Sequence, residues 1–267
     1  MQSNKQFEGL WAVILGGSSG FGFAAVEKLA KHGMNVAVLY RETATVEKPL
    51  KSKFEKIAQV NNVNILPFNI NALEESGRQK FIEVFTENIA SKKCIRLLLH
   101  SIARGNLKPV ISKNKIEIIT SQDIAYTSYA MSNSLLDWAR LLFDEKLFCE
   151  DARIVGITSA GAHKYWESYT AVSIAKASLQ SLATYMAVEL GKFGVRTNLI
   201  HAGITETPSL KKIAHSDKLV QFAHEVNPLG RMTTPKDVAD VIYLLCTPEA
   251  AWINGAVIHV DGGEHCL

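Results

Sequence analysis

A tyrosine and a lysine stand seven residues apart in the second half of the 267-residue chain, where small and apolar residues recur at helical spacing. Seven residues make two helical turns, so Tyr169 and Lys176 would project from the same side of a continuous helix. An ammonium group beside a phenol favours the phenolate, which makes the phenol a better proton donor near neutral pH. The same two residues could also lie on the exposed face of an amphipathic helix without any catalytic role. Other parts of the sequence are needed to distinguish these two interpretations.

A glycine-rich turn near the start of the chain could bind phosphate groups. It follows a continuous apolar run, residues 11–15, of the kind found in strands buried on both faces. Three glycines in the spacing GxxxGxG and two serines follow the run: Gly16, Ser18, Ser19, Gly20 and Gly22. Glycines allow a sharp turn, and the free N–H groups of the helix that follows attract pyrophosphate. A tight turn alone would use the same glycines, but their place between the first strand and the first helix favours a dinucleotide site.

The end of the second predicted strand bears on which dinucleotide would bind. Sites for NAD commonly place an acidic residue there to bind both ribose hydroxyls, whereas sites for NADP place an arginine near the 2′-phosphate. The strand ends in Leu39-Tyr40-Arg41-Glu42. A guanidinium group pairs with phosphate through two hydrogen bonds, so Arg41 favours NADPH over NADH. A solvated arginine–glutamate pair is the alternative, and Glu42 could also reach a 2′-hydroxyl.

Strands and helices alternate along the whole chain. The strands are predicted at residues 11–15, 35–40, 63–70, 95–100, 153–159, 195–200 and 256–260. Helical patterns lie between them, among them residues 24–32, 48–59, 74–90, 123–143 and the segment that follows Tyr169. This alternation predicts an α/β fold of the Rossmann type, a doubly wound parallel sheet in a single domain over residues 1–267.

Two long irregular tracts follow strand ends, at residues 105–121 and 203–227. Ligands bind at the carboxyl ends of strands in open α/β sheets, so both tracts are placed to contact one. The second tract includes a short helical patch at residues 209–213, and its length favours a substrate loop or lid over a surface excursion.

Composition narrows the class of protein. A formal net charge of +3, with scattered basic residues, gives no basis for nucleic-acid binding. The polar N-terminal residues and the absence of a long apolar run predict a soluble, cytoplasmic protein without a membrane segment. The four cysteines have no metal-ligand spacing. His163, His201 and His215 have none either, and we expect them in loops or at the surface. We therefore expect reduced cysteines and no metal site.

Over nearly its whole length the chain resembles the short-chain dehydrogenase/reductase superfamily. The glycine turn, Ser159 at the end of the fifth predicted strand, and Lys176 match motifs of that superfamily. The segments at residues 227–239 and 255–263 match its C-terminal pattern.

One branch of that superfamily, the enoyl-acyl-carrier-protein reductases, is the most similar. Most superfamily members have a tyrosine four residues before the lysine, and this chain has Val172 there. The spacing Tyr169-x6-Lys176 is that of the enoyl reductase branch, and His100-Ser101-Ile102-Ala103 is also similar to it. Many members carry a second tyrosine at the position of Ser159, and the NADPH-using type keeps a serine. The superfamily's active-site asparagine has no secure match, with Asn133, Ser128 and Met131 all near its place.

The resemblance implies a set of site residues. Tyr169, Lys176 and Ser159 would be catalytic, with Lys176 also holding the nicotinamide ribose, and Tyr165 and Trp166 could form a wall of the acyl pocket. The residues implied to bind the cofactor lie in the glycine turn and at the strand ends: Gly16, Ser18, Ser19, Gly20, Phe21, Gly22, Arg41, Asn69, Ile70, Ser101, Ile102, Ala103, Lys176, Ala202, Gly203, Thr205 and Thr207.

Three functions remain open at this point. The first is NADPH-dependent reduction of the C2–C3 double bond of an enoyl thioester, on acyl carrier protein or CoA, in fatty acid or polyketide-type biosynthesis. The second is reduction of a 3-oxoacyl thioester or another carbonyl by Ser159, Tyr169 and Lys176. The third is a silent dinucleotide-binding sensor or scaffold. The resemblance also implies a homotetramer that packs the helix after Tyr169 against its mate, with Ala175, Ala183 and Ala187 allowing close approach.

Overall fold

The computed structural model describes residues 5–113 and 117–267, and within them the chain forms a seven-stranded parallel sheet. The strands are β1 (Trp11–Leu15), β2 (Asn35–Tyr40), β3 (Ile65–Asn69), β4 (Ile95–His100), β5 (Phe148–Thr158), β6 (Val195–Ala202) and β7 (Val257–Val260). Their spatial order is β3-β2-β1-β4-β5-β6-β7, with every pairing parallel. The chain thus winds outward from β1 to one edge and from β4 to the other, as predicted.

Helices cover both faces of the sheet. They are α1 (Gly20–Lys31), α2 (Ala44–Asn61), α3 (Glu75–Glu87), α4 (Ser121–Ser128), α5 (Ser134–Asp144), α6 (Thr170–Gly191), α7 (Ser216–Val226) and α8 (Pro235–Cys246). Successive strand residues point to opposite faces, so Val13 belongs to one core cluster and Ile14 to the other. Burial on both faces explains the unbroken apolar strands. No helix in residues 5–113 and 117–267 is long and apolar enough to span a bilayer.

Three arginines and one aspartate close the amino end of the sheet beside β5. Asp151 accepts hydrogen bonds from Arg96 at 2.6 Å, from Arg153 at 2.5 Å and from Arg196 at 2.6 Å. Arg153 is completely buried, and its Nε donates to the Leu245 carbonyl near the end of α8. These pairings let β5 begin at Phe148, five residues before the start predicted from the apolar run.

The helix predicted over residues 123–143 contains a π-helical turn. It begins with a capping box, in which the Thr120 hydroxyl accepts from the Asp123 N–H and the Asp123 side chain accepts from the Thr120 N–H. A π-helical turn at Tyr129–Asn133 separates α4 from α5. Such turns are rare and frequently lie at functional sites.

The tract at residues 203–227 has more structure than predicted. A 3₁₀ turn at Leu210–Lys212 corresponds to the predicted patch, and α7 follows it. The pattern Leu219, Phe222, Ala223 and Val226 has helical spacing, and Ala223 is completely buried. The sequence therefore contained the signal for α7, and our prediction of an irregular segment there was wrong.

Candidate active site

Tyr169 and Lys176 come together where β5 meets α6. Tyr169 is the N-cap residue of α6, and so it precedes the helix rather than lying within it. Its ring packs over Gly161, where an added Cβ would come within 2.4 Å of the Tyr169 ring, so position 161 must lack a side chain. Lys176 is inside α6, 7% exposed, and its Nζ donates to the Ile157 carbonyl at 2.5 Å.

The protonation states differ from those expected of a tyrosine beside an ammonium group. Burial raises the pKa of Tyr169, and a hydrogen bond with Ser159 opposes that rise. The Lys176 ammonium group donates to the Ile157 carbonyl instead. Burial lowers the pKa of Lys176 to about 8. Our prediction that Lys176 favours the Tyr169 phenolate was therefore wrong for the protein alone, in which the phenol stays protonated near neutral pH.

A largely apolar cavity of about 430 Å³ opens in front of this pair. Ser159, Tyr169, Val172 and Lys176 line one side of it. The remaining walls come from the loops after β4, β5 and β6, from the tract at residues 203–227 and from the C-terminal residues: among them Ile102, Leu107, Met131, Tyr165, Trp166, Ile204, Leu210, Ile213, Leu219, Phe222, Glu264 and His265. Tyr165 and Trp166 line this cavity, as predicted. The cavity suits an apolar chain that ends beside a hydroxyl donor.

A second cavity, of about 510 Å³, extends along the carboxyl ends of β1, β2 and β4. It is lined by eleven of the predicted cofactor residues: Gly16, Ser18, Ser19, Gly20, Phe21, Arg41, Ile70, Ser101, Ile102, Ala103 and Thr207. Phe21, Ser101, Ile102, Ala103 and Thr207 line both cavities, so the two meet. Lys176, Ala202, Gly203 and Thr205 line only the apolar cavity.

The glycine turn has the shape of a phosphate cradle. Gly16 has φ +87°, and a Cβ there would lie 2.7 Å from the Ser101 carbonyl oxygen, so a side chain would clash with the end of β4. Ser19 is the N-cap of α1, and within the described residues its side chain makes no capping bond. The hydroxyl and the free N–H groups of the first turn therefore face the cavity as donors for an anion. These residues fit a dinucleotide with its pyrophosphate at the start of α1.

Two predicted cofactor residues lie outside the lining of both cavities. Asn69 bonds elsewhere: its Oδ1 accepts from the Glu42 N–H at 3.0 Å, and its Nδ2 donates to the Glu42 carbonyl at 3.0 Å and to Glu47 at 2.9 Å. Asn69 thus fixes the loop that carries Arg41. Gly22 lies inside α1 against Gly16. The sequence analysis missed Asn71, Ala72, Leu73 and Arg104, which line the second cavity.

The tract at residues 203–227 closes over the apolar cavity through polar contacts at its middle and at both ends. The Trp166 indole N–H donates to the Ala214 carbonyl at 3.1 Å, and His215 lies 3.5 Å from the Glu167 carboxylate. The Ile204 N–H donates to Glu264, and the Asn227 side chain donates to the Asp261 carbonyl. These contacts attach the tract to the loop before Tyr169 and to the C-terminal residues.

Several histidines near the site were assigned no role from the sequence. His100 is buried at the end of β4, 2.9 Å from the Ser134 hydroxyl, and burial lowers its pKa to about 3. It is therefore neutral. His201, predicted as a loop or surface residue, is instead a buried β6 residue paired with His259 of β7. The two histidines are 58 positions apart in the sequence, and only the strand register brings them together, so the sequence did not reveal this pairing.

Known proteins with this sequence pattern are reductases. A model of the family described as enoyl-(acyl carrier protein) reductase matches residues 16–265. The chain belongs to this family. It is therefore an oxidoreductase of the short-chain dehydrogenase/reductase superfamily, and a nicotinamide dinucleotide is the cofactor class that its relatives indicate.

Two curated relatives represent two reactions. The enoyl-[acyl-carrier-protein] reductase [NADH] FabI of Aquifex aeolicus is 32% identical over 194 residues, covering 71% of this chain and 67% of the relative. The 3-oxoacyl-[acyl-carrier-protein] reductase FabG of the same organism is 29% identical and covers 97% of this chain and 98% of the relative. The crystal structure of the A. aeolicus enoyl reductase (NADH) superposes with a TM-score of 0.82 at 26% identity, covering 98% of each chain.

Proposed function

We propose that the protein reduces the C2–C3 double bond of an enoyl thioester with NADPH, in fatty acid or polyketide-type biosynthesis. The observation that carries the proposal is the position of the phenol. Tyr169 stands before the first turn of α6, and Val172 occupies the next position on the cavity wall, where most superfamily members have their tyrosine. The acyl group would be carried by acyl carrier protein, the carrier named for both relatives above, or by CoA.

The chemistry explains why this position suits an enoyl substrate. A ketone accepts hydride at its carbonyl carbon, so the proton donor must stand at the adjacent oxygen. An enoyl thioester accepts hydride at C3, two bonds beyond the carbonyl carbon, and negative charge develops on the thioester oxygen. The donor must then reach an oxygen displaced from the reacting carbon. A tyrosine three residues earlier supplies that displacement, while Lys176 stays in place.

Each catalytic residue then has a defined task. A bound nicotinamide dinucleotide supplies the hydride. The Tyr169 phenol, protonated because burial raises its pKa, donates a hydrogen bond to the developing enolate. Ser159 orients the phenol through their shared hydrogen bond. Lys176, held by the Ile157 carbonyl, would bind the ribose hydroxyls. The tract at residues 203–227 would act as the substrate loop and exclude water from the acyl cavity.

Arg41 supports NADPH as the cofactor. It is exposed at the carboxyl end of β2 and lines the dinucleotide cavity, as does Arg104. The backbone of Glu42 is bonded to Asn69 on both sides, which fixes the chain direction just after Arg41. The Arg41 guanidinium group at this end of the cavity favours a 2′-phosphate. The A. aeolicus relative is named for NADH. The proposal of NADPH therefore rests on the residues of this chain and not on that relative.

An exposed face of α6 supports a homotetramer, but not through the alanines that we expected to make the contact. Ala175, Ala183 and Ala187 are at most 4% exposed and face the protein interior. Exposed side chains recur instead on the opposite side of α6: Ile174, Ala177, Ser181, Tyr185 and Val188. Tyr185 is 66% exposed and Val188 64%. A helix with a small-residue centre and apolar ends can pack against its symmetry mate.

Carbonyl reduction is the second candidate, and two observations favour it. Ser159, Tyr169 and Lys176 all line the apolar cavity, and the FabG relative covers 98% of its own length and 97% of this chain. In this reaction the donor would stand at the oxygen of the carbon that accepts hydride. The cavity would then hold a 3-oxoacyl thioester.

One assay separates the candidates. NADPH oxidation is followed at several concentrations of crotonyl and acetoacetyl thioesters, each on acyl carrier protein and on CoA. We expect kcat/KM for the crotonyl thioester to exceed that for the acetoacetyl thioester at least tenfold. The reverse order would establish the ketoreductase and refute the enoyl reductase. Oxidation of neither substrate, with NADPH bound, would refute both thioester reactions.

A further inference from the structure

Two histidines and an aspartate converge at the edge of the sheet, beside the apolar cavity. His201 of β6 and His259 of β7 are register partners, so their side chains project from the same face. Asp261 is two residues beyond His259, and one donor atom from each of the three lies within 4.8 Å of the other two. We propose that His201, His259 and Asp261 bind a divalent transition-metal ion of the zinc class.

The two imidazoles bring two ligand nitrogens together. Their Nδ1 atoms are 2.5 Å apart, with the rings nearly perpendicular at 89°. With both rings neutral, one Nδ1–H can donate to the lone pair of the other Nδ1. A metal ion accepts both lone pairs at once. Neutral imidazole nitrogens with a carboxylate oxygen are the ligand set of zinc sites that keep an open position.

The carboxylate is already oriented for this task. Asp261 Oδ2 accepts from the His265 Nδ1 at 2.7 Å and from the His265 N–H at 3.1 Å, and Oδ1 accepts from the Gly263 N–H at 3.0 Å. Each carboxylate oxygen has about two acceptor positions, so a metal bound to Oδ2 would replace the longer of its two bonds, that from the His265 N–H. His265 thus takes the place of an outer-shell partner, which fixes the orientation of a ligating carboxylate.

Only a small rearrangement is needed to admit the ion. Metal–nitrogen bonds of about 2.0–2.1 Å in a tetrahedral site put the two nitrogens about 3.3 Å apart, so the rings must separate by less than about 1 Å. The His259 side chain can move because it is 38% exposed. A metal ion would enter the site from solvent past this side chain. Asp261 Oδ2 lies 3.7 Å from the His259 Nδ1, a normal spacing for two ligands of one ion.

The site would join separate parts of the chain at one wall of the acyl cavity. The metal ligands connect β6, β7 and the residue after β7, and His265 lies in the C-terminal turn. His201, Glu264 and His265 line the cavity. A bound ion would therefore fix β7 and the C-terminal residues against the substrate loop, whose Ile204 N–H bonds to Glu264.

Metal binding is tested directly, without an activity readout. The full chain is stripped with EDTA and dialysed against micromolar zinc, and bound zinc is counted by mass spectrometry. We expect one zinc ion per wild-type chain, and a higher melting temperature with zinc than without it. His259→Ala and Asp261→Asn should lose both effects. His265→Ala should weaken binding by about 10- to 100-fold, as expected of an outer-shell partner.

Two matched controls identify the ligands. His224→Ala removes an exposed histidine of α7, and Cys266→Ser removes an exposed thiol that lies 3.5 Å from the His265 ring. Both should keep one zinc ion per chain. NADPH binding checks the fold of each variant, and His259→Gln replaces any His259→Ala protein that fails this check. A cobalt-loaded wild type should show visible ligand-field bands without a thiolate charge-transfer band.

Three results would overturn the proposal. The first is a wild-type chain that retains no zinc from micromolar solution. The second is unchanged zinc binding in folded His259→Ala or His259→Gln protein. The third is loss of zinc from Cys266→Ser with a thiolate band in the cobalt protein, which would place the metal on the cysteine.

Discussion

Replacement of Tyr169 by phenylalanine removes a single hydroxyl from the active site. The phenylalanine ring would still pack over Gly161, and Lys176 would keep its bond to the Ile157 carbonyl, so the cavity wall and the cofactor site should survive. What is lost is the donor to the developing enolate. Loss of one such donor typically costs about 2.7–4 kcal/mol of transition-state stabilisation, or roughly 10²–10³ in turnover. We therefore expect kcat for a crotonyl thioester to fall by that factor, with the NADPH dissociation constant within about twofold of wild type.

The assay is NADPH oxidation, with cofactor binding measured separately by fluorescence. Tyr165→Phe is the matched control, because Tyr165 lines the same cavity but is 89% exposed, and we expect its turnover to stay within about twofold of wild type. Ser159→Ala removes the partner of the phenol and should cost at most about tenfold, the value of one neutral hydrogen bond. The double variant Tyr169→Phe with Val172→Tyr should not recover enoyl reduction. Wild-type turnover of Tyr169→Phe would refute the assignment of Tyr169 as the donor.

Three further predictions concern the cofactor, a buried charge and the assembly. Arg41→Ala should weaken NADPH binding by about 10- to 100-fold and leave NADH binding within about twofold, which direct titration with both cofactors checks; tighter wild-type binding of NADH would contradict it. Burial lowers the pKa of Lys176 to about 8, so between about pH 8 and 10 the unfolded chain binds a proton that the folded chain has lost. The free energy of unfolding of wild type should therefore rise with pH there, by up to about 1.4 kcal/mol per unit, relative to Lys176→Met; denaturant titrations with parallel pH profiles would disprove this. Tyr185→Glu, on the exposed face of α6, should dissociate a tetramer that Val60→Glu, on exposed α2, leaves intact; light scattering that finds a monomeric wild type would refute the assembly.

The strands could be predicted from the sequence because both faces of the sheet are covered. Unbroken apolar runs gave the bounds of β1, β2 and β4 to the residue. The start of β5 was missed because Glu150 and Asp151 interrupt the apolar run, and only the three-dimensional pairing of Asp151 with arginines explains a strand there. Local patterns thus predict elements whose stability is local, and they fail where distant side chains supply it.

The same distinction between local and distant interactions separates the site residues that could be predicted from those that could not. Residues next to a strand end, such as Gly16 and Arg41, could be placed because topology alone brings strand ends to one edge. Asn69 is the last residue of β3, but its side chain bonds to Glu42 and Glu47, and no spacing in the sequence reveals these partners. The His201–His259 pair depends on register between two strands that are far apart in sequence.

The π-helical turn at Tyr129–Asn133 bears on how this chain can diverge from its relatives. A π turn holds one residue more than an α turn, so a one-residue insertion is absorbed there and α5 keeps its contacts. It also changes which side chain faces α6: here Met131 lines the acyl cavity and Ser132 bonds to Ser178. Loss of one residue would restore an α-helix and rotate the preceding helix by about 100°. A change of one residue in this turn would thus exchange the side chain that faces α6.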